Sequence, residues 1–187
     1  MEKVDLELKS LKIEDDITEE DNFITVECSL ESELGTGGKL WDAAIIHGKY
    51  LQKQLEQGAF KRGKALEIGA GTGMLSILLG CLGCTVLASD TRAVQEGILE
   101  KNVGRNRSRI TKGRGEVKAI VLDWNDLTRL EKTFEEHSLA EVGLIVGSDL
   151  IFNSNNLTEI PRVDCSHLVP EDSQRALRQA RQRDAYV

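Results

Sequence analysis

The run Gly69-Ala70-Gly71-Thr72-Gly73 is the stretch whose residue types and spacing point most directly to chemistry. Ala65, Leu66 and Ile68 before it read as a short buried strand, and Met74 to Leu79 after it as an apolar helix. Strand, glycine turn and helix in this order suit ligand binding. Glycine lets the backbone bend sharply and lie against a ligand without a Cβ between them. The free N–H groups of the following helix face any polar group held there. The spacing is Gly-x-Gly-x-Gly, whereas a dinucleotide fingerprint needs its third small residue at position 74, where Met74 stands. The turn therefore suits a nucleoside better than a pyrophosphate.

Asp90 ends the next β-rich run, nineteen residues after Gly71. A carboxylate in that place accepts both ribose hydroxyls of a nucleoside; the alternative is a cap for the helix that follows. Glu67 stands just before the glycines, either orienting the turn or a ligand amino group, or satisfied within the strand end. Trp124 follows the third β-rich run, where its ring could stack on an adenine. Trp41 opens a helix behind Gly35-Thr36-Gly37-Gly38 and could close over a ligand. For both tryptophans the alternative is a place in the core. Cys81-Leu82-Gly83-Cys84 is a single Cys-x-x-Cys pair with no second pair in the chain, and zinc needs four ligands, so these thiols read as small core residues and no metal is expected. His47, His137 and His167 are scattered and form no hydrolytic or metal-binding pattern.

The elements that must position these residues follow from periodicity. Phe23 to Leu30 alternates as a half-buried strand, after a loosely alternating stretch over 1–20 that reads as a weak strand or an arm. Residues 35–38 read as a loop and Trp41 to about Glu56 as a helix. After the glycine turn, the spacing predicts a helix over 73–82, a strand over 85–89, a helix from Ala93 to Val103 and a basic loop from Arg105 to Gly115. A strand from Val117 to Leu122, a helix from Leu127 to Glu136 and a strand from Val142 to Val146 complete the series. This alternation predicts an α/β protein with a doubly wound parallel sheet. In such sheets ligands bind beyond the carboxyl ends of the strands, where the glycine turn, Asp90, Asp123-Trp124 and Ser148-Asp149 converge. Three regions are expected: an acidic arm with a strand over 1–33, a core over 34–156, and a polar tail over 157–187 with a charged helix from Glu171 to Arg183.

At 187 residues, 40% hydrophobic and 29% charged, the chain has the composition of one soluble domain. Its start is charged and carries no apolar signal segment, so the expected location is cytoplasmic or nuclear, with reduced thiols. The longest apolar stretch, Leu75 to Ala88, is too short to span a bilayer, so no membrane partner is expected. The net charge of −7 is uneven, because residues 1–33 carry twelve acids against three lysines. That balance disfavours nucleic acid as a partner and suits attraction of a basic protein, or simply a solvated arm.

These residues resemble the seven-strand S-adenosylmethionine (SAM) methyltransferases, and more narrowly methyltransferase family 16, which includes protein-lysine methyltransferases. The resemblance rests on Lys39-Leu40-Trp41-Asp42-Ala43-Ala44 with Lys49-Tyr50-Leu51, on Leu66 to Gly73 and on Ser89-Asp90. It continues through Asn102-Val103 with Asn106, Leu122-Asp123-Trp124 and Ser148-Asp149-Leu150-Ile151-Phe152, spanning roughly residues 35–155. It implies a Rossmann-like methyltransferase fold, SAM as cofactor, and a SAM site lined by Trp41, Gly69, Ala70, Gly71, Asp90, Trp124 and Ser148. It also implies a protein substrate, basic or of the chaperone and translation-factor class, attacked at a lysine in line with the SAM methyl group. Asp149 would then steer the lysine. Phe152 stands where the family's Asp-x-x-Tyr element has tyrosine, which keeps an apolar or cation–π contact and loses the hydroxyl. The family continues through three further strands for which this chain shows no sequence. The expectation is a C-terminally incomplete sheet with an apolar edge that the tail or a partner covers, and a catalytically inactive fragment serving as a binding module is the competing reading.

Overall fold

The structure is a computed structural model that describes residues 7–12, 23–29, 32–123, 132–133, 135–138 and 141–150. Trp124, Phe152, most of the expected helix from Leu127 to Glu136, and the tail from residue 151 onward lie outside the described residues.

Among the described residues four parallel strands form the central sheet: β3 (Lys64–Ile68), β4 (Thr85–Asp90), β5 (Glu116–Val121) and β6 (Leu144–Gly147). Their order is β5-β4-β3-β6, with Ala65 opposite both Val86 and Leu144, and Val86 opposite Val117. Parallel strands flanked on both faces are apolar along their length rather than alternating, and the two inner strands show it: Ala65 and Leu66, then Val86, Leu87 and Ala88, are all buried. The chain builds outward from β3 through β4 to β5 and returns to the other side of β3 with β6. The connections therefore diverge between β3 and β6, and such a switch point leaves a crevice at the strands' carboxyl ends.

The helix following the glycine turn, α2 (Met74–Cys81), is buried almost all round. A helix apolar on every side belongs inside the core rather than over it. On one side of it lies α1 (Asp42–Glu56), where Gly48 lets the helices approach closely: a methyl there would sit 2.7 Å from Leu78 Cδ2. On another side lies β2 (Phe23–Cys28), paired antiparallel with β1 (Glu7–Lys12). The alternation read in β2 holds, since Ile24, Val26 and Cys28 face inward and share one core cluster with Met74, Ile77, Leu78 and Leu99.

Two segments differ from the sequence reading. The expected helix from Ala93 to Val103 is α3 (Arg92–Val94), a π turn over Gln95–Leu99, and α4 (Glu100–Arg105). The expected basic loop from Arg105 to Gly115 contains a short helix, α5 (Arg107–Lys112), with Ile110 buried. One buried side chain among charged neighbours makes no periodic pattern. Its contact depends on glycines that are far apart in sequence, since a methyl at Gly80 would lie 3.2 Å from Ile110 Cγ2. Gly115 is tighter still: a methyl would run into the Gly80 carbonyl oxygen and come within 2.6 Å of that of Cys84. Both neighbours are backbone and cannot rotate away. Gly115→Ala is expected to cost about 3 kcal/mol of stability, at the upper end of overpacking penalties, read as a lower urea midpoint. An unchanged midpoint would contradict this packing.

Candidate active site

The glycine turn leaves β3 with three residues in the left-handed region: Gly69 (φ 65°), Gly71 (φ 53°) and Gly73 (φ 81°). That region is costly for any residue with a Cβ. At Gly71 space is also short, because a methyl would sit 3.2 Å from the Gly37 carbonyl oxygen. The Ser32–Gly38 turn therefore lies directly against the glycine turn, and the two enclose a cavity of about 470 Å³. This is within the range of small-molecule sites, roughly 300–1,000 Å³.

Asp90 reaches this turn from the end of β4. One carboxylate oxygen accepts from the Gly71 N–H at 2.8 Å and the other from the Thr91 N–H at 2.7 Å. The residue is only 8% exposed, and burial pushes its carboxyl up against these two stabilising donors. Thr91 occupies the cap position of α3 without a side-chain cap bond, and Asp90 stands one residue before it.

Glu67 is buried at the end of β3 and accepts a hydrogen bond from Ser76 Oγ in the first turn of α2. Burial pushes its carboxyl up to about 8; Ser76 opposes that shift, and the nearby Asp90 adds to it. Its backbone oxygen accepts from Ser89 Oγ at 2.6 Å, tying the ends of β3 and β4 together.

Trp41 caps α1 and is 41% exposed, its ring nitrogen donating to Thr36 O at 3.1 Å. It forms part of the cavity wall rather than of the core. Ser148 follows β6, and its hydroxyl lies 3.0 Å from His47 Nδ1 on α1. Beside it Asp149 sits exposed at φ 59°, a left-handed conformation that the short polar side chain of an aspartate tolerates better than most. Glu67, Gly69, Ala70, Gly71, Asp90, Trp41, Ser148 and Asp149 all line the one cavity. Trp124 and Phe152, also singled out from the sequence, lie outside the described residues.

His47 escaped the sequence reading as one of three scattered histidines. Its contact spans 101 residues, so no local signal announces it. Burial lowers its pKa from the usual 6.5, which favours a neutral imidazole beside the Ser148 hydroxyl. Leu34 was also missed. It packs with Val94 and Ile98 in a small separate cluster that anchors the Ser32–Gly38 turn over the cavity. The Cys81 and Cys84 thiols are pushed up by burial, to about 11 for Cys81, as expected of core thiols. Among the described residues no helix is long and apolar enough to cross a membrane.

A family model described as lysine methyltransferase, methyltransferase family 16, matches residues 19–184, running beyond residue 155 where the sequence motifs stop. The chain is 33% identical over 130 residues to protein N-lysine methyltransferase METTL21A of Mus musculus, covering 68% of this chain and 54% of that protein. It is 30% identical over 135 residues to protein-lysine methyltransferase METTL21E of Bos taurus, covering 72% of this chain and 44% of that protein. It is also 30% identical over 118 residues to methyltransferase-like protein 22 of Homo sapiens, covering 59% and 29%. The chain thus spans about half or less of the length of these curated relatives. With most of its length matched by the family model, and with a parallel α/β sheet of the Rossmann-like kind beneath the match, the chain belongs to the lysine methyltransferase family.

Proposed function

We propose that the chain is a SAM-dependent protein-lysine N-methyltransferase, with the cavity at the β3–β6 switch point as its SAM site. The observation that carries this is convergence: the glycine turn, Asp90, Ser148 and Asp149 come from the ends of three strands and meet around one hollow of about 470 Å³. The match to a lysine methyltransferase model supports an enzyme over a non-catalytic binding module.

The residues present fit a nucleoside cofactor. A carboxylate at the end of β4 stands over a backbone cradle with little room for a Cβ at Gly71. Asp90 would accept the ribose hydroxyls, and Glu67 would face the amino group of the cofactor's amino-acid end. Gly69, Ala70 and Gly71 would lie against the nucleoside, Ser148 would complete the wall and Trp41 would close it. Trp124 is proposed to stack on the adenine. SAM, when bound, supplies a methyl group already activated on a positive sulfonium. The chain's own tasks are alignment and exclusion of water. A lysine attacks only as the neutral amine, and its free pKa is near 10.4; the apolar lining contributed by Leu34, Leu40 and Trp41 would favour that form. Asp149 is exposed at the rim, where it steers the incoming ammonium and aligns the amine after its proton leaves to solvent. Phe152 is proposed to offer a cation–π face in the same place.

The test is transfer of radiolabelled methyl from SAM to protein in a cell extract, with calorimetric titration of SAM alongside. No heat of binding and no transfer would end the proposal. Asp149→Ala is expected to lower turnover by about 100-fold or more, the scale of a lost positioning contact, while the SAM dissociation constant changes by less than about threefold. Loss of SAM affinity in step with turnover would move Asp149 to the cofactor side.

A further inference from the structure

Asn102 in α4 and Asn106 just after it are four residues apart and both buried. Asn102 Oδ1 accepts from the Glu27 N–H at 2.8 Å, and its Nδ2 donates to Glu27 O at 3.0 Å. Asn106 treats Thr25 the same way, accepting from its N–H at 3.3 Å and donating to its carbonyl at 2.8 Å. A side-chain amide carries the donor and acceptor of a peptide group, so the pair meets the backbone of β2 as a neighbouring strand would. The amide orientation is set by its partners, since the Glu27 N–H can only donate and must face oxygen.

The two asparagines differ in their last contact. The Nδ2 of Asn106 turns back to Asn102 O at 2.8 Å, within its own helical stretch. The Nδ2 of Asn102 also donates to Thr72 O at 2.9 Å, inside the glycine turn. Besides the Ala70 N–H, which donates to Ser89 O at 2.9 Å, two side chains hold the turn, Asp90 at the Gly71 N–H and Asn102 at the Thr72 carbonyl. Its three left-handed glycines have freedom to relax if either hold is lost.

We infer that Asn102 is a positioning residue for the cofactor turn, and that through it β2 and the cofactor site stabilise each other. The inference rests on the SAM reading above for its second half only. Without the Asn102 amide, the buried Thr72 carbonyl loses its donor, and the disorder of the turn must be overcome when ligand binds. Linkage makes the effect reciprocal, so an occupied site holds β2 more firmly.

The experiment compares Asn102→Ala with Asn106→Ala in the full 187-residue chain. Both variants strip one residue of β2 of its side-chain partner, but only the first touches the turn. Without SAM, amide exchange at Gly71 and Gly73, followed by NMR, is expected to rise about 10-fold or more in Asn102→Ala and to stay within about twofold in Asn106→Ala. The SAM dissociation constant is expected to rise about 10-fold in Asn102→Ala only. Equal changes in both variants would mean a general loss of strand docking and would overturn the inference. If Asn102→Ala does not fold, the wild-type chain decides: saturating SAM slows exchange of the Glu27 amide more than that of Thr25, and equal slowing overturns the inference. A wild-type chain that binds no SAM, while the Gly71 and Gly73 amides still separate the two variants, sinks the cofactor reading and leaves the Asn102 hold on the turn standing.

Discussion

Asp90→Ala is expected to weaken SAM binding by about 100-fold or more, measured by calorimetric titration. Two hydrogen bonds from ribose hydroxyls to an ionised carboxylate are lost, each of the charge-assisted kind that contributes about 1.5–3 kcal/mol. Part of the loss is internal, because the Gly71 and Thr91 N–H groups lose their acceptor and the turn loses one of the side chains that hold it. Asp90→Asn separates the contributions. The amide keeps an oxygen for the Gly71 N–H but gives up the charge and one acceptor, so an intermediate loss of about 10-fold is expected. Unaltered SAM affinity in Asp90→Ala would remove the nucleoside from this cavity and with it the reaction assigned to the chain.

The second large effect concerns Glu67. Most carboxyls in folded proteins are stabilised in their ionised form, but burial pushes this one up to about 8 from an ordinary 4.5. Below pH 4.5 the folded and unfolded chains both hold the proton, and folding carries no penalty from this group. As pH rises from there, the unfolded chain ionises while the folded chain keeps its proton, so stability falls. The fall levels off above about 8, where both forms are ionised. The full span corresponds to a loss on the order of 5 kcal/mol. Glu67→Gln cannot ionise and still presents a polar group to Ser76. Relative to wild type, the variant is therefore expected to gain stability between pH 5 and 8.5, most of it below pH 8, by roughly 4 kcal/mol in urea unfolding. Parallel stability curves for the two chains would show that Glu67 is ionised in the fold across that range.

Much of this molecule was legible in its sequence because the decisive signals are local. A buried strand, three alternating glycines and an apolar helix fall within a few residues of one another, and they fold as read in β3, the turn and α2. Alternation in β2 marked its inward face for the same reason, since successive side chains of a strand point to opposite sides. The site residues at the strand ends were legible from a topological rule, which places ligands at carboxyl ends whatever the side chains.

Residue types and spacing thus determined the α/β class, the parallel sheet, the glycine turn and the place of Asp90 beside it. Tertiary structure alone decided which distant groups meet. His47 finds Ser148 across 101 residues, and Asn102 joins β2 to Thr72 across 75 and 30. The helix α5, read as a loop, forms where Gly80, Gly113 and Gly115 let backbones approach more closely than any side chain permits. Such contacts depend on the single packed arrangement of the whole core, in which hydrogen-bond partners and empty space are shared among segments. No local periodicity encodes them, because each half of the contact is an ordinary polar residue or a lone glycine until the fold brings the other half to it.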